Sequence, residues 1–218
     1  MAPDAVVFDL DYTLAVAERD RQTLLDEAAA AVGTSPIGRD EYHDVHLANH
    51  SHETRAPIFA ELIEGSETDA DRVATAYREG IAASLRPVDG AEAMIEELRE
   101  EYRVALLTNG PSVAQRDKLA TLGWEGLFDA AIVTGEIGTG KPDRRAFEAI
   151  CEAVSVSPTD AVYVGDEVGT DVHGASGAGM YAIQVLYPGG PKPDATATAH
   201  VERSHLPTDL PPVVRRIS

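Results

Sequence analysis

The ten residues VVFDLDYTLA, from Val6 to Ala15, run from strand formers into two carboxylates one residue apart, Asp9 and Asp11. Valine and phenylalanine fit a pleated, buried backbone. A buried strand that delivers two like charges to one place needs a reason, because neighbouring carboxylates stay ionised together only where something positive joins them. If the rest of the chain supplies no such partner, the pair is a turn at a strand end.

The pattern of this stretch recurs. Beside AVVFDL (residues 5–10), short apolar runs rich in β-branched residues occur as RVALLT (103–108), AAIVT (130–134), AVYVG (161–165) and YAIQVL (181–186). Continuous apolar runs of this length suit strands covered on both faces, as in parallel sheets. Helix-period segments separate them at residues 91–102, 112–122, 144–154 and 171–178. The alternation predicts an α/β fold with a doubly wound, mainly parallel, Rossmann-like sheet. One interval breaks the rhythm, since residues 14–86 hold helix patterns such as ERDRQTLLDEAAAAV and ADRVATAYREGIAASL and no convincing strand. It is too long for a loop. The reading is a helical cap at residues 15–86 inserted into a core made of residues 1–14 and 87–218, with Pro87 marking the return. After Leu186 the turn-rich YPGGPKPDATATAH leads into a tail of about thirty residues expected to be peripheral.

Composition narrows the function. The 218 residues carry 37 acidic against 18 basic side chains, a formal charge of −19. Such a field repels phosphate polymers and anionic lipid, which excludes nonspecific nucleic-acid and membrane-surface binding. No apolar run approaches membrane-spanning length, and MAPDAVVFDLD carries acid where a signal peptide carries base, so a cytoplasmic protein is expected, monomeric or homodimeric. Cys151, the single cysteine, excludes an intramolecular disulfide and sits on the apolar stripe of AFEAICEAV as core filler. Lysine is scarce: Lys118, Lys141 and Lys192 are the full set.

In sheets of this type ligands bind beyond the carboxyl ends of the strands. The first strand end offers Asp9, Asp11 and Thr13; the second offers Thr108, Asn109 and Gly110. The third leads through GEIGTG to Lys141, and the fourth gives Asp166 with Asp171 five residues on. Gathered together, these carboxylates call for a cation, and Mg²⁺ prefers oxygen ligands shared with a substrate phosphate. An ammonium and a hydroxyl suit the equatorial oxygens of a transferring phosphoryl group, and a carboxylate can attack phosphorus.

The set DLDYT, LLTN, GKP and GDEVGTD, in that order, resembles the haloacid dehalogenase superfamily in its phosphatase branch, over residues 6–186. The resemblance implies Asp9 as nucleophile and Asp11 as general acid and then base. It implies Thr108 and Lys141 as catalytic phosphate-binding groups, joined by Thr13, Asn109 and Gly110, with Lys141 also neutralising Asp9. It further implies Mg²⁺ held by Asp9, the backbone carbonyl of Asp11 and Asp166, with Asp171 either a further ligand or a partner that supports the ligands. The substrate would be a small-molecule phosphate ester. LLTNGPSVAQRDKLATLGW (residues 106–124) is similar to relatives of the pyrimidine 5′-nucleotidase and N-acylneuraminate-9-phosphatase types, with phosphoglycolate phosphatases a close rival. Tyr12 stands where many relatives carry glycine, a change at the mouth of the pocket rather than in its chemistry.

Competing readings separate on particular residues. GEIGTGKP fits the start of a phosphate-binding P-loop, but Pro142 stands where that motif needs a hydroxyl; its use is to start the following helix. For Asp171 a helix N-cap is a further reading. His43, His46 and His50, at spacings of three and four, would share a helix face, and with His52 they fit cap surface or substrate contact better than a second metal site. A 2-haloacid dehalogenase has no need of Asp11, Thr13 or Asp166. A phosphosugar mutase would keep all four motifs. A phospho-accepting receiver-type signalling domain has its acidic pair before the phosphorylated aspartate, and lacks a large helical insert.

The acidic surplus predicts a halophilic origin, with salt screening the self-repulsion of the folded chain. Thermal melts across a KCl series are expected to show Tm rising from low to molar salt; equal stability at both ends overturns that origin.

Overall fold

Strand β1 (Ala5–Phe8) is buried along its whole length, as a strand between two helical layers must be. In the computed structural model, which describes residues 2–48 and 53–217, the chain turns beyond β1 into β2 (Ala15–Ala17). Helices α1 (Arg21–Val32), α2 (Arg39–Ala48), α3 (Ala56–Leu62) and α4 (Glu67–Ser84) follow. Strand β3 (Leu85–Pro87) and α5 (Ala91–Arg99) lead back to the sheet. Then come β4 (Arg103–Thr108), α6 (Ser112–Leu122), β5 (Ala130–Val133), α7 (Thr134–Ile137) and α8 (Arg144–Ala153). After β6 (Ala161–Gly165), a π-helical turn (Val168–Val172) runs directly into α9 (His173–Ala178). Strands β7 (Tyr181–Leu186) and β8 (Ala199–Glu202) and helix α10 (Leu206–Val214) complete the chain.

Six strands form one parallel sheet in the order β5-β4-β1-β6-β7-β8. The winding reverses at β1, so the crevice beyond its carboxyl end, between β4 and β6, is where a ligand is expected. Alternate residues of each strand feed two cores. Val6, Phe8, Leu106 and Val164 pack on one face against α5, α6 and α10, through Met94, Leu119 and Leu210. Val7, Leu107 and Tyr163 pack on the other against Phe147 and Ile150 of α8 and Ala175 of α9. Cys151 is buried in this second layer, the core position its apolar stripe predicts.

Helices α1 to α4 bury a third cluster of their own, centred on Leu25, Tyr42, Phe59 and Tyr77. Their ends are written in the sequence. Asp20 caps α1 by accepting from the Thr23 amide, and Gly33 ends it at φ 81°. Ser66 and Asp69 make a reciprocal capping box that starts α4. Among the described residues no helix is long and apolar enough to cross a membrane.

Several expectations are corrected. The interval expected to be strand-free opens and closes with β2 and β3, which pair antiparallel from Ala15↔Pro87 to Ala17↔Leu85. Two chain segments leaving and re-entering a core side by side satisfy each other's peptide groups in this way, and three-residue strands leave no periodicity to read. The turn-rich tail is not peripheral: β8 extends the sheet, and Val201, Leu206, Leu210, Val214 and Ile217 belong to the first core. Strand β1 stops at Phe8 rather than Leu10, and β5 at Val133, where α7 starts at once. Helix α8 begins at Arg144 with Asp143 as its N-cap, so Pro142 precedes that helix and does not start it. Asp171 is not an N-cap, since it lies inside the π-helical turn.

Leu210 is fully buried on α10. Leu210→Ala is expected to cost about 2–5 kcal/mol in denaturant unfolding, the range for a large-to-small change in a core. A loss below roughly 0.5 kcal/mol, the scale of a surface change, would return the tail to the periphery.

Candidate active site

The carboxyl ends of β1, β4 and β6 converge around one ammonium. Lys141, reached from β5 through α7, places its Nζ 2.7 Å from Asp9 Oδ1, 2.7 Å from Asp171 Oδ1 and 2.7 Å from the Tyr163 hydroxyl. Its backbone is clamped from the end of β4. Asn109 donates through Nδ2 to the Lys141 carbonyl and accepts from the Lys141 amide, each at 2.9 Å. Burial opposes the ammonium, yet the carboxylates of Asp171 and Asp9 outweigh it and hold Lys141 well above the usual lysine range.

Asp171 reaches this point because Gly165 lets it. A Cβ on Gly165 would lie 2.4 Å from Asp171 Oδ2, closer than any real contact. That same oxygen accepts from the Glu167 amide at 3.0 Å. Asp166 is held from two sides, by Thr13 Oγ1 at 3.3 Å and by the Tyr187 hydroxyl at 3.0 Å. Asp9, Asp166 and Asp171 are buried, and each offers a carboxylate oxygen within 4.8 Å of the others. Burial, countered by Lys141 and reinforced by Asp171 and Asp11, pushes Asp9 up to about 7. Burial together with Asp171 and Asp9 pushes Asp166 up to about 8. Three buried carboxylates that offer only oxygen donors, with Asp9 and Asp166 both raised in proton affinity, fit a hard divalent cation, whose charge would relieve both burial and repulsion.

Asp11 has a different environment. Its oxygens lie 2.6 and 2.5 Å from Lys118 Nζ, and Oδ2 accepts from Gln115 Nε2 at 3.0 Å. Burial opposes ionisation here too, but the Lys118 ammonium and the Gln115 amide outweigh it and hold Asp11 down at about 2. Gln115 also donates to Thr108 Oγ1 at 2.6 Å, leaving the Thr108 O–H free to donate elsewhere. Gly110 donates its amide to Thr134 Oγ1 at 3.1 Å. Tyr12 takes φ 62°, a left-handed conformation costly for a residue with a Cβ. Its carbonyl accepts from Arg203 at 3.0 Å, and its ring stacks on Tyr187 at 5.8 Å.

A cavity of about 330 Å³ opens over these groups, lined by Asp9, Asp11, Thr108, Lys141, Asp166 and Asp171. Thr13, buried under Asp166, and Gly110 stand beside it, and Asn109 is on its wall. His43 and His46 of α2 line it from the insertion, while His50 and His52 lie outside the described residues. Lys118 and Gln115 are side chains that motif reading passed over. The available signal was their spacing of three on α6, which turns both to one face, and the rarity of lysine in this chain.

The matched family model is described as haloacid dehalogenase-like hydrolase and covers residues 3–179. N-acylneuraminate-9-phosphatase of Mus musculus is 40% identical over 94 residues, 43% of this chain and 38% of that protein. Phosphoglycolate phosphatase of Xylella fastidiosa is 30% identical over 190 residues, covering 85% of this chain and 81% of that one. Among solved structures, an HAD phosphatase from Thermococcus onnurineus superposes with a TM-score of 0.67 at 25% identity, covering 95% of this chain and 97% of its own. The order of strands, the crevice at β1 and the match along most of the sequence lead to one assignment: the chain belongs to the haloacid dehalogenase-like hydrolase family.

Proposed function

We propose that this protein is a phosphatase that hydrolyses small phosphate monoesters with Mg²⁺ through an aspartyl-phosphate. The observation that carries the reading is the contrast between two carboxylates two residues apart. Asp9 is buried against Lys141 Nζ, and Asp11 is held ionised by Lys118 at the opening of the same cavity.

In this reading an oxygen of Asp9 attacks phosphorus, and the bond from phosphorus to the leaving-group oxygen breaks. Asp11 passes a proton to that oxygen, then takes one from the water that attacks the aspartyl-phosphate and releases inorganic phosphate. A phosphoryl dianion beside Asp11 raises its proton affinity, because like charge disfavours the carboxylate. The acid step therefore belongs to the substrate-bound state and the base step to the state that Lys118 favours. Lys141 and the free O–H of Thr108 hold phosphoryl oxygens. Asp9, Asp166, Asp171 and the Asp11 carbonyl would hold Mg²⁺, which supplies positive charge against the carboxylates and the phosphate. Residues 15–86 act as the cap and residues 1–14 and 87–218 as the core, the cap excluding bulk water and reading the leaving group. Phosphatase names among the relatives support the class of reaction.

Asp9→Asn is expected to remove at least about a thousandfold of kcat on an aryl phosphate, since a missing nucleophile leaves only binding and positioning. Chelation is expected to silence the parent protein, and added Mg²⁺ to restore it. Turnover by Asp9→Asn, or indifference to chelator, overturns the mechanism.

Lys118→Gln keeps a polar side chain but frees the Asp11 carboxylate. It is expected to lower kcat about tenfold to a hundredfold, the scale of a misplaced catalytic group, with a smaller change in KM. Parental kcat in that variant would remove Lys118 from the positioning of Asp11.

A further inference from the structure

Two cavities meet over Asp11. Beside the one already described lies a smaller void of about 50 Å³ between the helical insertion and the sheet, and Asp11, Tyr12, Arg21, His46 and Asn109 line both. The smaller void is walled further by Arg55, Lys118, Tyr42 and Tyr77. Four cationic side chains, Arg19, Arg21, Arg55 and Lys118, border it together with the single carboxylate of Asp11.

Two of these cations lack an ionic partner. Arg55 is 7% exposed, its Nε is buried with no hydrogen bond, and its guanidinium lies 5.7 Å from the centroid of the Tyr77 ring. Among the described residues no carboxylate comes within ion-pair distance of Arg55 or Arg21, whereas Arg19, Arg78, Arg99, Arg116 and Arg215 all find one. Arg103, Arg203 and Arg216 also lack one among the described residues, but of the unpaired arginines Arg21 and Arg55 are the two that border this void. Lys118 has Asp11, but Arg55 and Arg21 lie near enough to press on its charge. Three cations thus share one carboxylate. A desolvated guanidinium without a counter-charge is costly, and its planar fork is made for an oxyanion.

The void also limits what enters. A cavity of about 150 Å³ holds benzene, and this one has about 50 Å³. A group of a few heavy atoms fits; a ring does not. Because Asp11 borders both cavities, that group sits within a few bonds of the phosphoryl group at Asp9.

We propose that Arg21 and Arg55 form an oxyanion subsite, and that the substrate is a small phosphate monoester carrying a second anionic group, a carboxylate or a second phosphate, on its leaving group. The inference rests on the phosphatase reading and names the substrate class of that site. Neutral sugar phosphates and bulky ring systems are then poor substrates.

The test compares kcat/KM with Mg²⁺ in two matched pairs: 2-phosphoglycolate against 2-hydroxyethyl phosphate, and propane-1,3-diol bisphosphate against its monophosphate. The parent protein is expected to prefer the anionic member of one pair by at least about tenfold, as a charged hydrogen-bonded contact supplies. Preference in the first pair assigns a carboxylate, and preference in the second assigns a phosphate. Arg55→Gln and Arg21→Gln are each expected to bring that ratio towards one, chiefly through KM. Equal rates within both pairs in the parent, or an undiminished ratio in both variants, overturn the subsite while leaving the phosphatase reading in place. Absence of hydrolysis of all four esters and of an aryl phosphate overturns that reading instead. Calorimetry on Asp9→Asn protein, free of turnover, then decides the subsite through the same ratio in Kd. Should a variant fail to fold, competitive inhibition of the parent by glycolate but not by ethylene glycol supports the subsite, and equal indifference to both overturns it.

Discussion

The buried ammonium of Lys141 is the contact on which the rest of the site depends. It sits 2.7 Å from both Asp9 and Asp171, and each of the three side chains is almost wholly out of water. Charges in that position are tolerated only together, since removing one partner strands the others at a cost of about 3–5 kcal/mol. Much of the local architecture can be read as provision for this cluster. Asn109 fixes the Lys141 backbone, Tyr163 rises from the centre of β6 to supply an oxygen, and the bare backbone of Gly165 makes room for Asp171. The elements involved come from both sides of β1, so the winding reversal brings the charges together.

Charge is sorted across the cavity as well as balanced within it. Asp9, Asp166 and Asp171 gather around Lys141 at the strand ends, while Arg21 and Arg55 of the insertion join Lys118 of α6 around Asp11. A group placed between them feels a field that an even mixture of charges would cancel. The low local dielectric sharpens that field. In a chain of net charge −19, Arg55 is buried with its Nε unbonded, which sets it apart from the general surface.

What the sequence displayed was whatever folding leaves local. Strand ends with a carboxylate, a threonine or a GD pair are short, contiguous and ordered along the chain, so DLDYT, LLTN, GKP and GDEVGTD could be read without coordinates. The two-faced burial of β1, β4 and β6 follows from their unbroken apolar runs. What was hidden depends on partners far away in sequence. Lys118 stands 107 residues from Asp11, and the spacing that puts Gln115 and Lys118 on one face of α6 does not say which carboxylate that face meets. Strand β8 reads as AHVE behind a turn-rich stretch, and it becomes a strand because β7 offers an open edge. The left-handed turn at Tyr12 is carried by Arg203, 191 residues on, and by the Tyr187 ring. Propensity alone would have placed glycine there.

Solvent access gives the two aspartates of the opening stretch their physical difference. The Asp9 side chain is 9% exposed and that of Asp11 34%. A nucleophile gains from losing its water, because hydration must be stripped before an oxygen can reach phosphorus. A group that gives a proton and takes one back must stay in touch with the leaving group and then with an incoming water. Both needs cannot be met at one depth in a cavity. The residue between them, Leu10, is fully buried, and this anchor sets the two carboxylates at different depths. Under the proposed phosphatase mechanism, one buried leucine thus lets a single strand end present a dry oxygen to phosphorus and a wet one to the exchanging proton.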